Sequence, residues 1–249
     1  MVRDGQLLLP SISGGFELVI PVDQLSDPGA AELVAAELSG GWEFEERAWL
    51  RATLGPRHTF VDVGAHFGLF ALEAAMTGAG LVAIEPHPDN LAVMTRAIRH
   101  NRVADRVRVV AAAATESAGP VWLRTNTSMG HRVSGRAPDA GGHDQVWPQG
   151  PLAGRRVWQP AEGVPLAQIL ADVDGPLVVK LDLEGGELAA LRGAEALLAA
   201  GRISHVVWEQ GEGQKRNTDH GPITAFLTGF GLRTRDLTPL TAVSELETA

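Results

Sequence analysis

The chain has 249 residues, 45% of them hydrophobic and 20% charged, which suits one α/β domain with a full-sized core. A net charge of −9 argues against non-specific nucleic-acid binding, and the absence of cysteine and tyrosine removes disulfides, thiolate chemistry and Tyr-Lys proton relays. No apolar run reaches membrane-spanning length and residues 1–15 hold no secretory-signal stretch, so a cytoplasmic location is expected.

Residues 16–22 alternate weakly and predict a strand, and Ser26-Asp27-Pro28 reads as a helix start with a capping side chain and a proline at the first turn. A second helix is predicted from about Glu43 to Leu54, where Gly55-Pro56 stops it. Residues 1–58 are therefore expected to form a helical cap on a core over residues 59–249. In that core, strand-like Thr59 to Val63 precedes a helix from Phe67 to Met76, and Leu81 to Ile84 precedes a helix from Asp89 to His100. Arg106 to Ala113 supplies a third strand. Leu177 to Leu183 reads as a buried strand, Glu187 to Ala200 as a helix, Ile203 to Trp208 as a strand and Pro222 to Thr228 as a short helix. Residues after Asp236 read as a final edge strand or a frayed tail. Alternating helices and apolar strands imply a mostly parallel sheet covered on both faces. Between Arg124 and Gly163 about forty residues rich in Gly and Pro break the rhythm and read as an inserted loop over a substrate.

Residues 60–69, Phe-Val-Asp-Val-Gly-Ala-His-Phe-Gly-Leu, end an apolar strand in an acid and follow it with a glycine turn into a helix. The next strand ends in Ile84-Glu85-Pro86, placing a second acid where a ribose can be held. The glycines, Gly64 and Gly68, do not have the Gly-x-Gly-x-x-Gly spacing that holds a pyrophosphate. An acid beside the turn instead complements the ammonium and sulfonium of S-adenosylmethionine.

Further strand ends carry Lys180, Asp182, Glu184 and Glu209. Lys180, Asp182 and Glu184 share one side if the strand stays extended that far. Lys180 is either a buried ammonium paired with a carboxylate or a base with a lowered pKa. Asp182, His131 and His143 are candidate proton acceptors, and Trp147 a stacking wall for a substrate. Trp122 and Trp158 fit core packing as well as a wall. The acids could offer oxygen ligands to a divalent ion, but no histidine pair has metal-site spacing, and a metal is not favoured.

Together these residues resemble the FkbM family of S-adenosylmethionine-dependent methyltransferases over roughly residues 42–235. The resemblance rests on Val61-Asp62-Val63-Gly64-Ala65-His66-Phe67-Gly68, on Ile84-Glu85-Pro86, on Val179-Lys180-Leu181-Asp182-Leu183-Glu184-Gly185-Gly186-Glu187 with Leu191-Arg192-Gly193-Ala194, and on Glu209. It implies a Rossmann-like class I methyltransferase fold. By the same resemblance Asp62, Gly64, His66 and Gly68 line the methionine end of the cofactor, Glu85 holds the ribose, and Ala112 or its neighbours flank the adenine. From their strand-end positions Glu184 and Glu209 are candidate substrate contacts, with structural hydrogen bonding as the alternative. His66 stands where such proteins more often have asparagine, and Pro165-Leu166-Ala167 replaces a common Thr-Leu-Asp.

The expected activity is O-methyl transfer to a small molecule of the sugar or polyketide type, in natural-product biosynthesis. Expected partners are a small-molecule substrate, with neither nucleic acid nor membrane, and a homodimer is left open. An amine acceptor, a nucleotide-dependent oxidoreductase and a cofactor-binding module without catalysis are the alternatives.

Overall fold

The computed structural model describes residues 1–124, 132–135, 157–210 and 220–246. Its central sheet has seven strands in the order β13-β14-β12-β11-β4-β5-β6. These are β4 (Thr59–Val63), β5 (Gly80–Ile84), β6 (Val107–Val110), β11 (Leu177–Leu181), β12 (Ile203–Glu209), β13 (Leu232–Asp236) and β14 (Thr241–Leu246). From β6 to β12 every pairing is parallel, while β14 runs antiparallel to both its neighbours. The chain starts in the centre at β4, moves outward through β5 and β6, then returns to β11 on the other side. The order therefore reverses between β4 and β11, and a crevice opens at their carboxyl ends.

Alternation along the strands divides the core in two. Phe60, Leu81, Ala83 and Val178 pack on the face covered by α3 (Leu69–Ala75), α4 (Pro88–His100) and the N-terminal segment. Val61, Val63, Val82, Ile84, Val179 and Leu181 pack on the other, against α5 (Leu166–Ile169), α6 (Glu187–Arg192), α7 (Glu195–Ala199) and α8 (His220–Thr228). The N-terminal segment contains α1 (Pro28–Ser39), whose Asp27 cap accepts the amides of Gly29 and Ala30, and α2 (Phe44–Thr53).

Several expectations need correction. The N-terminal cap is not only helical: β1 (Val2–Arg3), β2 (Gln6–Pro10) and β3 (Glu17–Pro21) form an antiparallel sheet. The stretch 106–113 splits, since β6 ends at Val110 and β7 (Ala113–Ala114) joins a second sheet beside β10 (Trp158–Val164). That sheet also contains β8 (Gly119–Arg124) and β9 (Arg132–Ser134), so the end of the expected loop is a paired strand carrying Trp158. The helix expected over 187–200 breaks at Gly193, where a Cβ would lie 2.2 Å from the Thr115 carbonyl oxygen, and the Gly193 carbonyl accepts the Ala167 amide. The last strand is no edge: β14 inserts between β12 and β13.

Candidate active site

Asp62, the fourth residue of β4, is 1% exposed, and apart from the Ala71 amide its carboxylate meets no hydrogen-bond donor among the described residues. Burial pushes its pKa up to about 6, opposed by the ammonium of Lys180 and the Ala71 amide and reinforced by Asp182. A buried charge of this kind is costly until a cation or donor meets it. The turn after it is built tightly. Gly64, at φ +83°, would place a Cβ 2.1 Å from the Asp182 carbonyl oxygen, so only glycine lets the two strand ends approach. A Cβ on Gly68, also at φ +83°, would meet Met94 at 2.8 Å.

Glu85 follows β5 and is likewise buried. Its Oε2 accepts the His66 amide at 2.9 Å, its Oε1 the His87 amide at 2.8 Å, and the Asn90 side chain adds a third bond. Burial nevertheless outweighs these donors and lifts the carboxyl to about 7. A carboxylate has about four acceptor directions, so these three bonds leave one for a ribose hydroxyl. His66 occupies the left-handed region at φ +51°, a conformation in which asparagine and histidine are both enriched, and its ring stacks on Phe67 at 3.9 Å. Ala112 is buried after β6, on the far side of Glu85 from Asp62.

On β11, Lys180 is the register partner of Asp62. Its Nζ bonds Asp182 Oδ2 at 3.0 Å and lies 4.5 Å from the centroid of the Phe70 ring. Burial alone would lower its pKa, but Asp182, Glu43 and Asp62 outweigh it and raise it, so the side chain is a paired ammonium rather than a base. The strand ends at Leu181, and Glu184 turns away at φ +54° with its side chain exposed, so it does not continue the Lys180–Asp182 row. The turn is closed by Glu187, whose Oε1 accepts the amides of Leu183 and Gly185. Glu209 ends β12 at the solvent side of the same crevice. Loss of hydration, then Asp182, Glu184 and Glu187, push its pKa up.

A residue that the sequence motifs did not single out joins them. Glu43, before α2, is close enough to feel the charges of Lys180, Asp182, Glu46 and Glu209, and its backbone is left-handed at φ 46° and ψ 48°. The preceding Gly40-Gly41 pair was the available sign of a sharp turn here. His131, His143 and Trp147 lie outside the described residues. Among the described residues no group of three or more His, Cys, Asp or Glu side chains is placed to hold a metal ion, and no helix is long and apolar enough to cross a membrane.

The buried carboxylate of Asp62, the narrow Gly64 turn and Glu85 on the adjacent strand fit a cationic nucleoside cofactor, as S-adenosylmethionine is. The sequence matches the model of the methyltransferase FkbM domain over residues 62–234. Comparison with curated proteins returns no significant match. Similar solved structures include precorrin-6y C5,15-methyltransferase from Geobacter metallireducens, at 11% identity and TM-score 0.48, covering 85% of this chain and 92% of that one. A TehB-like SAM-dependent methyltransferase from Corynebacterium glutamicum is 13% identical with TM-score 0.48, covering 89% and 98%. An rRNA methylase from Streptococcus thermophilus is 10% identical with TM-score 0.47, covering 81% and 95%.

Proposed function

Because the chain belongs to the FkbM methyltransferase domain family, we propose that this S-adenosylmethionine-dependent methyltransferase methylates a hydroxyl of a small molecule, of the sugar or polyketide natural-product class. The observation that carries the reading is the row of acidic side chains along the strand ends beyond the cofactor turn, Asp182 and Glu209, with the charge of Glu43 acting on both. Such a surface can accept hydrogen bonds from hydroxyls and is poorly suited to the phosphates of RNA.

When bound, the cofactor supplies a methyl group already activated on a sulfonium, so positioning can provide much of the acceleration. Asp62 offers a carboxylate to its positive charge, Glu85 takes a ribose hydroxyl, and Gly64 keeps the turn narrow. Asp182 holds the acceptor hydroxyl and takes its proton, while Lys180 remains the fixed counter-charge at 3.0 Å. A positioned proton acceptor typically contributes about 10²–10⁴-fold.

The test has two stages. Calorimetric titration with S-adenosylhomocysteine, with NAD as the control, is expected to show saturable binding of the thioether alone, abolished in Asp62→Ala and Glu85→Ala. Turnover of a methyl-labelled donor on hydroxylated acceptors is then expected to fall at least 10²-fold in Asp182→Asn. Labelled product bearing N-methyl instead of O-methyl groups would overturn the hydroxyl assignment, and failure of the wild type to bind S-adenosylhomocysteine would overturn the cofactor site.

A further inference from the structure

We propose that Gln159 is a specificity-determining residue of the cofactor site: its side-chain amide reads the amino-bearing edge of the adenine, and His87 orients it. The proposal rests on the S-adenosylmethionine site described above and adds a base-reading contact from the second sheet. That sheet closes the stretch expected to cover a substrate, so one of its strands serves the cofactor instead.

Position is the first argument. Asp62 stands near the end of β4 and Glu85 follows β5, with β6 next in the sheet. A ribose held by Glu85, with its sulfonium toward Asp62, sends its base the other way, toward β6 and Ala112. The residue after Ala112 begins β7, which pairs in parallel with β10, Ala113 opposite Gly163. The second sheet therefore stands at the base end of the crevice, and His87 ties it to the first. The His87 amide bonds Glu85 Oε1 at 2.8 Å, the residue is buried, and its Nε2 lies 3.5 Å from Gln159 Nε2 on β10. One side chain thus separates Gln159 from the ribose carboxylate.

Unspent hydrogen-bonding capacity is the second argument. Gln159 pairs with Leu123 and Ala161 with Val121 across β8 and β10, and both Leu123 and Val121 are buried. Alternation puts the Gln159 side chain on that inward face, while Trp158 and Pro160 take the other. A glutamine amide has two N–H donors and a carbonyl acceptor. Its contact with His87 is the only hydrogen-bonding contact of this amide among the described residues, which leaves one N–H and the carbonyl oxygen for a ligand. Side by side, these match adenine: the carbonyl accepts from the amino group and the N–H donates to the neighbouring ring nitrogen. Hypoxanthine replaces that amino donor with an oxygen and meets the glutamine carbonyl with like polarity. By keeping the amide nitrogen on its own side, His87 stops Gln159 from turning over to suit it.

The test is calorimetric titration of the full chain with S-adenosylhomocysteine and S-inosylhomocysteine, which differ only in the purine edge. Wild type is expected to bind the adenine compound roughly tenfold more tightly or better. Gln159→Leu keeps the volume without the amide, and is expected to cut that preference to about threefold or less by weakening S-adenosylhomocysteine. His87→Phe frees the amide to turn over, and is expected to cut it by strengthening S-inosylhomocysteine. Gln159→Asn, whose amide falls one methylene short, carries the expectation of Gln159→Leu if that variant does not fold. Equal binding of the two compounds by wild type overturns the proposal. So does an undiminished preference in the variants, including one in which both affinities fall in proportion, as a purely structural role would have it. Failure of the wild type to bind S-adenosylhomocysteine at all is a different result and marks failure of the cofactor site itself.

Discussion

Burying Asp62 lifts its carboxyl from 3.8 to about 6, and this has a sign that stability measurements can read. A carboxyl whose folded pKa is raised contributes fully below the ordinary value near 3.8, and the contribution is lost as pH rises through about 6. Two pKa units correspond to about 3 kcal/mol, so the ionised unliganded protein carries a penalty of that order at pH 8. Asp62→Asn removes the titration. Urea unfolding is expected to find the variant more stable than wild type by up to about 3 kcal/mol at pH 8 and little different at pH 4, with S-adenosylhomocysteine binding lost at both. A variant less stable than wild type at pH 8 would assign the carboxylate to the fold instead of the ligand. Asp62, Gly64, Glu85 and Asp182 were legible in the sequence because turn geometry demands particular residue types at short spacing. Glu43 was not, because its place depends on α2 reaching strands nearly two hundred residues later in the chain, through Glu46 and Thr241.

Among the elements, α2 is held by more than its apolar face. Arg47 is fully buried with its Nη1 2.7 Å from Glu37 Oε2 and its Nε 2.9 Å from Glu73 Oε2, so one side chain joins α1, α2 and α3. The remaining valences are met: Arg47 also donates to Ser13 Oγ and the Trp42 carbonyl, and Glu37 accepts the amides of Ile12 and Trp42. Burial alone would raise the Glu37 pKa, but Arg47 and these two amides outweigh it and lower it. Truncating one member of such a set leaves uncompensated charge behind, at about 3–5 kcal/mol. Arg47→Met is expected to lose that much in chemical denaturation, and Arg47→Met combined with Glu37→Gln and Glu73→Gln to recover part of it. A cost under about 1 kcal/mol for Arg47→Met would show that the apolar contacts of α2 suffice. The periodicity of α2 gave its limits well, since Gly55-Pro56 stops it. Its ion pairs were hidden, because a charged residue in an amphipathic pattern reads as solvent-facing. Likewise the α6–α7 break was hidden: Gly193, where a Cβ would meet the Thr115 carbonyl oxygen, sits inside an otherwise helix-favouring run.

At the scale of the molecule, the family-matched segment and the folding unit do not coincide. The match covers residues 62–234, yet the sheet needs β14 at Thr241–Leu246, lying between β12 and β13. Five residues of β12 and five of β13 pair with it, from His205↔Glu245 to Glu209↔Thr241 and from Leu232↔Leu246 to Asp236↔Ala242. Ala242 and Val243 are fully buried in it. Local pattern left this stretch as an edge strand or tail, since no short-range signal says which neighbours a last strand will find. Its position instead lies in long-range antiparallel pairing with both β12 and β13. Removing it would expose a row of unpaired amides and carbonyls on each flanking strand and leave Trp208 and Ile223 in a core without its cover. A chain ending at Asp236 is therefore expected to be insoluble or to lack a cooperative thermal transition. A chain ending at Leu246 should melt within a few degrees of full length and bind S-adenosylhomocysteine with the same affinity. Should the shorter chain melt cooperatively and bind, β12 and β13 would have to pair directly, and the strand order that places Glu209 beside Thr241 would not be what fixes the acceptor end of the crevice.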